Sequence, residues 1–163
     1  MSLEIRKATE ADTPVIAWFI RQLAEYERLL PETTMTEEIL HENLFGSRSC
    51  AEVLLGYYQD RPVAFAVFFH NFSTFLGKRG LYLEDLFVIP EMRGKGFGRD
   101  LLVHLAKIAR ERNCGRFEWA VLDWNEPAIE FYKRLGAVSM TEWTIFRMTG
   151  DALDRLANER TDR

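Results

Sequence analysis

Two rhythms of apolar and polar positions run along the chain. Ile16, Phe19, Ile20 and Leu23 recur at the helical period after Thr13-Pro14, so the spacing predicts a first helix capped by Thr13 with Pro14 at its first position. Tyr26 and Glu27 fall at its end. A second helix is expected from Thr34 or Thr36 to Gly46. Strand-like runs occupy Leu3 to Lys7, Ala51 to Gln59 and Pro62 to Phe72, the last two joined by a turn at Asp60-Arg61. A loop from Ser73 to Gly80 leads to Tyr82 to Ile89, an aromatic and β-branched run that reads as the central strand. It carries Glu84 and Asp85, which strict alternation sends to opposite faces. Pro90 ends its ladder, having no N–H to donate. Leu101, Leu102, Leu105, Ile108 and Ala109 then mark a helix to about Arg112. Arg116 to Leu122 reads as a further strand and Asn125 to Gly136 as a short capped helix. A final pair of strands is expected within Val138 to Met148, and a last helical turn or two over Asp151 to Ala157. The order is α+β, with a mixed sheet at its centre.

Between the central strand and its helix stands Arg93-Gly94-Lys95-Gly96-Phe97-Gly98-Arg99. Three glycines in five positions let the backbone curl tightly enough to aim several N–H groups at one anion, and the helix adds the positive end of its dipole. Arg93, Lys95 and Arg99 bring cations to the same point, which suits a pyrophosphate. A phosphate-binding P-loop would need Ser or Thr after the lysine, and here Gly96 follows Lys95. The dinucleotide fingerprint needs a different glycine spacing near an early strand.

The remaining composition narrows the class. With 163 residues and 47% hydrophobic content the chain suits one globular domain spanning 1–163. Its formal charge of −4, from 21 basic and 25 acidic residues, argues against a general nucleic-acid or anionic-membrane surface and is compatible with a cationic ligand. Cys50 and Cys114 stand far apart without metal-ligand neighbours and read as buried thiols of a reduced compartment. His41, His70 and His104 lack metal spacing, so no metal is expected. The N-terminus has no signal core and no apolar run approaches the roughly eighteen residues of a membrane span, so a cytoplasmic protein is expected. The Arg-rich tail after Asn158 is expected to fray.

Arg93, Gly96 and Gly98 form an Arg-x-x-Gly-x-Gly signature that resembles the acetyl-CoA loop of the GNAT superfamily of N-acetyltransferases. The resemblance continues in Val121 to Ile129 and in Phe131-Tyr132-Lys133-Arg134-Leu135-Gly136-Ala137, where the superfamily has its second cofactor motif. It implies the GNAT acyl-CoA N-acyltransferase fold, a central mixed and mostly antiparallel sheet flanked by helices. Ala24 to Glu27, Tyr82 to Asp85, Trp124 to Pro127 and Phe131 to Arg134 narrow the likeness to the spermidine/spermine (diamine) N-acetyltransferases, over nearly the whole chain. Those enzymes carry an acid in the loop before the central strand, where this chain has Ser73-Thr74. That departure is more like the branch that acetylates thialysine and related amino acids with a side-chain amine.

The resemblance implies roles residue by residue. Acetyl-CoA is the co-substrate. Leu86, Phe87 and Val88 would offer backbone groups to its pantetheine arm, behaving as a surrogate strand. Arg93, Gly94, Lys95, Gly96, Phe97, Gly98 and Arg99 would hold its pyrophosphate. Asn125, Ala128, Tyr132 and Arg134 match the remaining contacts, Arg134 reading equally well as a surface cation. An amine near pKa 10 attacks only after losing its proton. Glu84 maps onto the family's base, directly or through water, and Tyr132 onto the acid that protonates the departing thiolate. Tyr26, Glu27, Ser73, Glu84, Glu118, Trp119 and Glu142 map onto or near the amine-contacting positions. Neither cysteine has a nucleophile's setting, so direct transfer is expected. A homodimer with a small-molecule amine substrate is implied, without nucleic acid or membrane. The alternatives are a diamine acetyltransferase, a protein acetyltransferase and a non-catalytic acyl-CoA-binding module.

Overall fold

The computed structural model describes residues 2–160, so of the tail expected to fray only Glu159 and Arg160 lie within it. The chain forms two compact units, residues 1–122 and 123–163.

The first unit is built on a five-stranded sheet. Its strands are β1 (Glu4–Lys7), β2 (Glu52–Tyr58), β3 (Arg61–Ser73), β4 (Lys78–Val88) and β5 (Phe117–Trp119), in spatial order β1-β2-β3-β4-β5. Neighbours are antiparallel except β4 and β5, which are parallel because a helix carries the chain back across the sheet. Three helices accompany it: α1 (Thr13–Tyr26), α2 (Glu37–Phe45) and α3 (Phe97–Glu111). The mixed, mostly antiparallel sheet of an α+β fold is therefore present. The β2–β3 turn falls one position earlier than expected, at Gln59 and Asp60 with φ of 50° and 59°, and Arg61 already belongs to β3. Thr74 to Gly77 alone close the next hairpin, since β3 extends to Ser73 and β4 begins at Lys78, so the two strands absorb half of the expected loop.

Helix starts obey local chemistry with one shift. Thr36 caps α2, its hydroxyl accepting from the Ile39 N–H at 3.2 Å. Thr13 is inside α1 and does not cap it. Its hydroxyl donates to the Glu10 carbonyl at 2.7 Å, and the capping work moves to Thr9, whose N–H donates to Asp12 at 2.8 Å across a 3-10 turn.

The core follows from the two sheet faces. On one, Phe19 of α1 stacks on Phe65 of β3 with ring centroids 5.0 Å apart, and Ile16 and Ala17 are fully buried beside it. On the other, α3 buries Phe97, Leu101, Leu102, Leu105 and Ala109, and of the stripe its spacing predicts Ile108 is only half-buried. Asn113, at φ 55°, ends that helix in a left-handed turn.

Two expectations fail here. The strand expected over Arg116 to Leu122 is only Phe117–Trp119. Cys50 is exposed in the loop after α2, where its N–H donates to the Asn43 carbonyl at 3.1 Å, while Cys114 is half-buried; both thiols are free. Cys50 follows polar residues that end a helix, so no apolar surface reaches it.

The second unit holds α4 (Glu126–Arg134) and α5 (Gly150–Ala157). Pro127 opens α4, and Gly136, at φ 92°, closes it with its N–H on the Lys133 carbonyl at 2.9 Å. The pair of strands expected within Val138 to Met148 is not formed. Residues 138–148 carry no strand pairing, and Trp143, Ile145 and Phe146 are exposed. Alternating apolar residues make a strand only when an edge receives their backbone groups.

Candidate active site

The glycine run between β4 and α3 has the geometry of an anion cradle. Gly94 and Gly96 take φ of 76° and 87°, and a Cβ added at either would meet no atom within 4 Å, so the space before the helix is open. Gly96 is also the N-cap of α3, and no side chain bonds the N–H groups of that first turn. An uncapped 15-residue helix preceded by left-handed glycines offers orphan donors and a dipole end to a phosphate. Lys95 and Arg99 are exposed around it, while Phe97 is buried at 1% and contributes only backbone. Arg93 is engaged elsewhere. Its Nε donates to the Val88 carbonyl at 2.9 Å, and its guanidinium lies 4.5 Å from the Tyr26 ring and 5.2 Å from the Phe87 ring. This pins the loop to the end of α1.

Beside the cradle the sheet opens. β5 pairs with β4 only at Leu81, Tyr82 and Leu83, and no strand among the described residues continues that pairing along Glu84 to Val88. The outer edge of Leu86, Phe87 and Val88 therefore meets the chemistry of an extended amide-bearing arm, whose N–H and C=O groups can complete the ladder. Cradle and open edge together fit acetyl-CoA.

The acids lie where β4 departs from regularity. Phe69 stands opposite Tyr82 and Val67 opposite Asp85, but Phe68 stands opposite Leu83, so Glu84 is an extra residue. This bulge corrects the alternation argument. Residues 65, 67 and 69 of β3 share the α1 face, and their partners Phe87, Asp85 and Tyr82 must share it too. Asp85 thus turns towards α1 beside Glu84, and the two carboxyls interact. Burial pushes the Asp85 carboxyl up to about 7, with the charges of Glu84 and then Glu27 adding to it. Burial, with Glu84, also raises the Glu27 carboxyl. Burial first, then Glu84 and Glu118, raises the Tyr82 hydroxyl. No hydrogen bond or ion pair reaches Asp85 among the described residues.

The expected acceptor residues separate into groups. Tyr26, Glu27 and Glu84 come together at the end of α1. Glu118 faces Tyr82 across the β4–β5 pair but is held by Arg116 at 2.7 Å and accepts from Asn71 at 3.3 Å; Trp119 ends the same strand, half-buried. Ser73 is not brought to them. It pairs with Lys78, six positions before Glu84, or about 20 Å along the strand. Its hydroxyl is buried and accepts from the Leu76 N–H at 3.3 Å, the work of a turn residue. In the second unit, Asn125 and Tyr132 lie seven positions apart, two turns along and on one side of α4, with Ala128 between them and Arg134 in the last turn. Glu142 is exposed in the irregular segment. Asp85 is the residue that sequence reasoning set aside. An Asp beside a candidate base was visible, but the bulge that gives it the same face was not.

Among the described residues no group of His, Cys, Asp and Glu could hold a metal ion, and no helix is long and apolar enough to cross a membrane.

The chain is similar to known proteins over nearly its whole length. The chain is 37% identical to a thialysine N-epsilon-acetyltransferase of Sus scrofa, over 97% of its own length and 99% of that protein's. It is 34% identical to an L-ornithine N5-acetyltransferase of Arabidopsis thaliana, over 96% and 88% of the two. Among solved structures, an integron cassette protein from the mobile metagenome of V. cholerae superposes with a TM-score of 0.82 at 30% identity, over 98% and 99% of the two chains. The profile of the acetyltransferase (GNAT) family matches residues 15–137, which include the glycine cradle, the open strand edge and α4. The chain belongs to the acetyltransferase (GNAT) family and is an acetyl-CoA-dependent N-acetyltransferase.

Proposed function

We propose that this enzyme transfers acetyl from acetyl-CoA directly to the side-chain amine of a small amino acid, with thialysine as the first candidate. The observation that carries the reading is the acidic end of the open sheet. Glu27, Glu84 and Asp85 gather beside the cofactor edge with no cation paired to them among the described residues, which suits an incoming ammonium. Thialysine and L-ornithine, named as substrates of its relatives, both present such a group.

In the reaction the bound ammonium gives up a proton to Glu84, directly or through water. The free amine attacks the thioester carbon, the carbon–sulfur bond breaks, the departing sulfur takes a proton from Tyr132, and the Tyr132 oxygen is reprotonated as the new amide nitrogen sheds its second proton. Acetyl-CoA supplies the activated acyl group. The chain's own work is to hold the pyrophosphate on the glycine run, extend the sheet with the pantetheine arm and accept the amine's proton. The family profile runs across Leu122, so we read both units as parts of one catalytic domain. Ser73 lies about 20 Å from Glu84 along the strand, so it would enter an acceptor pocket at Glu84 only from a second copy. A homodimer is therefore part of the reading.

The test is thiol release from acetyl-CoA with thialysine, lysine, ornithine, spermidine, a short diamine and a lysine peptide. Preference for thialysine or ornithine supports the proposal. Preference for spermidine keeps the chemistry and moves the enzyme to the diamine branch. Acetyl-CoA binding with no release for any acceptor would indicate a binding module.

A further inference from the structure

The bulge in β4 leaves a carboxyl that the reaction, as written above, does not use. Asp85 stands opposite Val67 on the α1 face, three positions from Tyr82 where regular alternation would have put Glu84 two positions away. It is half-buried, and among the described residues nothing donates to it or pairs with it. Its electrostatic neighbours are Glu84 on its own strand and Glu27 at the end of α1. Arg93, at the same end of the strand, packs on the rings of Tyr26 and Phe87 and spends its Nε on the Val88 carbonyl. Half-buried carboxyls without a hydrogen-bond donor are costly when charged, and folds ordinarily supply a partner. Here three acids converge without one.

We propose that Asp85 is the proton store of the reaction, receiving through Glu84 the proton that the acceptor ammonium must lose. The inference rests on the amine-acetylating function argued above and extends it by one residue. Glu84, exposed at the bulge, meets the ammonium. The N–H bond breaks, its electron pair stays on nitrogen, and the proton joins the Glu84 carboxylate. It then passes to the Asp85 carboxylate, which restores the charge on Glu84 facing the substrate. After the new amide and the free thiol leave, Asp85 releases the proton to water. The ammonium brings three protons and the amide keeps one: of the two lost, one leaves through Asp85 to water and the other replaces the proton that Tyr132 gives the thiol, so no other co-reactant is needed.

The location gives the store its use. A carboxyl in the ordinary range holds an amine's proton poorly at neutral pH, whereas one pushed up to about 7 is a near-matched acceptor. An arriving ammonium favours its ionised form, so substrate binding prepares the acceptor. The Glu84 charge helps to raise the Asp85 carboxyl, so removing that charge should lower it.

The experiment is kcat/KM against pH with the best amine of the panel, for the wild type, Asp85→Asn and Glu84→Gln. Carboxyl titration by carbon NMR on the wild type labelled at aspartate runs alongside, with Asp85 assigned by comparison with Asp85→Asn or by a selectively labelled preparation. The expected wild-type profile rises to a plateau from about 7 up to the amine's own range near 10. Asp85→Asn should lose the limb near 7 and fall at least a hundredfold on the plateau. Glu84→Gln should also lose rate, but the limb of its residual activity should move to lower pH, because a like charge has left Asp85. A limb that stays near 7 in Asp85→Asn, or an Asp85 signal that titrates in the ordinary aspartate range, would overturn the proposal while leaving the acetyltransferase intact. An enzyme that acetylates no amine of the panel would instead remove the function on which it rests. The wild-type titration decides the point even where Asp85→Asn fails to fold.

Discussion

Two carboxylates on opposite faces of one sheet show how the same chemistry serves stability in one place and reactivity in another. Glu52, at the start of β2, stands opposite Phe68 on the α3 face. Arg112 grips it with both terminal nitrogens, the longer contact being 3.0 Å, and Lys7 lies 3.1 Å away. Nη1 of the same guanidinium also reaches His70 Nε2 at 2.9 Å, while His70 Nδ1 faces the Gly80 carbonyl at 2.9 Å. The end of α3 is thereby tied to three strands. The Arg112 hydrogen bond, followed by that of Lys7, holds the Glu52 carboxyl down at about 2. Asp85 has no such partner and is pushed up to about 7. Burial works against ionisation at both, and at Asp85 it is the leading cause of the rise. At Glu52 the supplied donors outweigh it.

The largest expected effect comes from converting the unpartnered acid. Asp85→Asn should lower kcat/KM at neutral pH by at least a hundredfold and yet stabilise the fold. The sign follows from linkage. In the unfolded chain Asp85 ionises near 3.8, but in the folded chain only near 7, so the folded state binds the extra proton between those values. The wild type therefore loses stability as pH rises from about 4 to about 7. Thermal melting at pH 8 should show Asp85→Asn above the wild type, with the gap closing towards pH 4. A lower Tm at pH 8 would mean that Asp85 makes a stabilising contact.

Tyr132→Phe, outside both carboxylate regions, should reduce turnover about ten- to a thousandfold by withholding the proton from the leaving thiolate. It should leave the limb near 7 in place, because that limb belongs to Asp85. Stopped-flow thiol release across pH separates the two, and a shifted limb in Tyr132→Phe would blur the division of labour between acid and proton store.

On the other face the expected change is in stability. Arg112→Ala should cost about 2 kcal/mol by removing charged hydrogen bonds from a half-buried carboxylate. For a chain of this length that lowers Tm by about 4 to 8 °C. The wild type should lose the contribution of Glu52 as pH falls from 4.5 towards about 2, and Arg112→Ala should flatten that acid arm. Turnover per folded molecule should stay within twofold, and a large loss would show that the clamp also shapes the active face.

Most of the framework was legible in the sequence because it depends on local rules. The helical spacing from Leu101 to Ala109 and the glycines from Gly94 to Gly98 each set structure within a few residues, and α3 and its uncapped start follow from them. What could not be read depends on a partner strand. Whether Asp85 shares a face with Tyr82 is decided by its pairing with Val67, and the missing strands at 138–148 await an edge that their own pattern does not supply. Ser73 shows the same limit. The resemblance led to its being expected among the acceptor contacts, but in the structure its hydroxyl accepts from the Leu76 N–H.

That double role makes Ser73→Asp the finest test. An aspartate can accept from the Leu76 N–H as the serine does, but the position is buried, so the added charge should cost about 1 kcal/mol of stability. The new charge lies about 20 Å along the strand from Glu84, well beyond the screening length of about 8 Å at physiological salt. Within one copy it should leave the limb near 7 where it is. If a second copy brings position 73 to the acceptor pocket, the same substitution should tilt preference towards polyamines. A competition assay between spermidine and thialysine, read beside sedimentation, distinguishes these cases. A tilt in a dimer makes the pocket a shared one. No tilt confines amine selection to the acids around the β4 bulge, and with them to the face that leaves Asp85 without a partner.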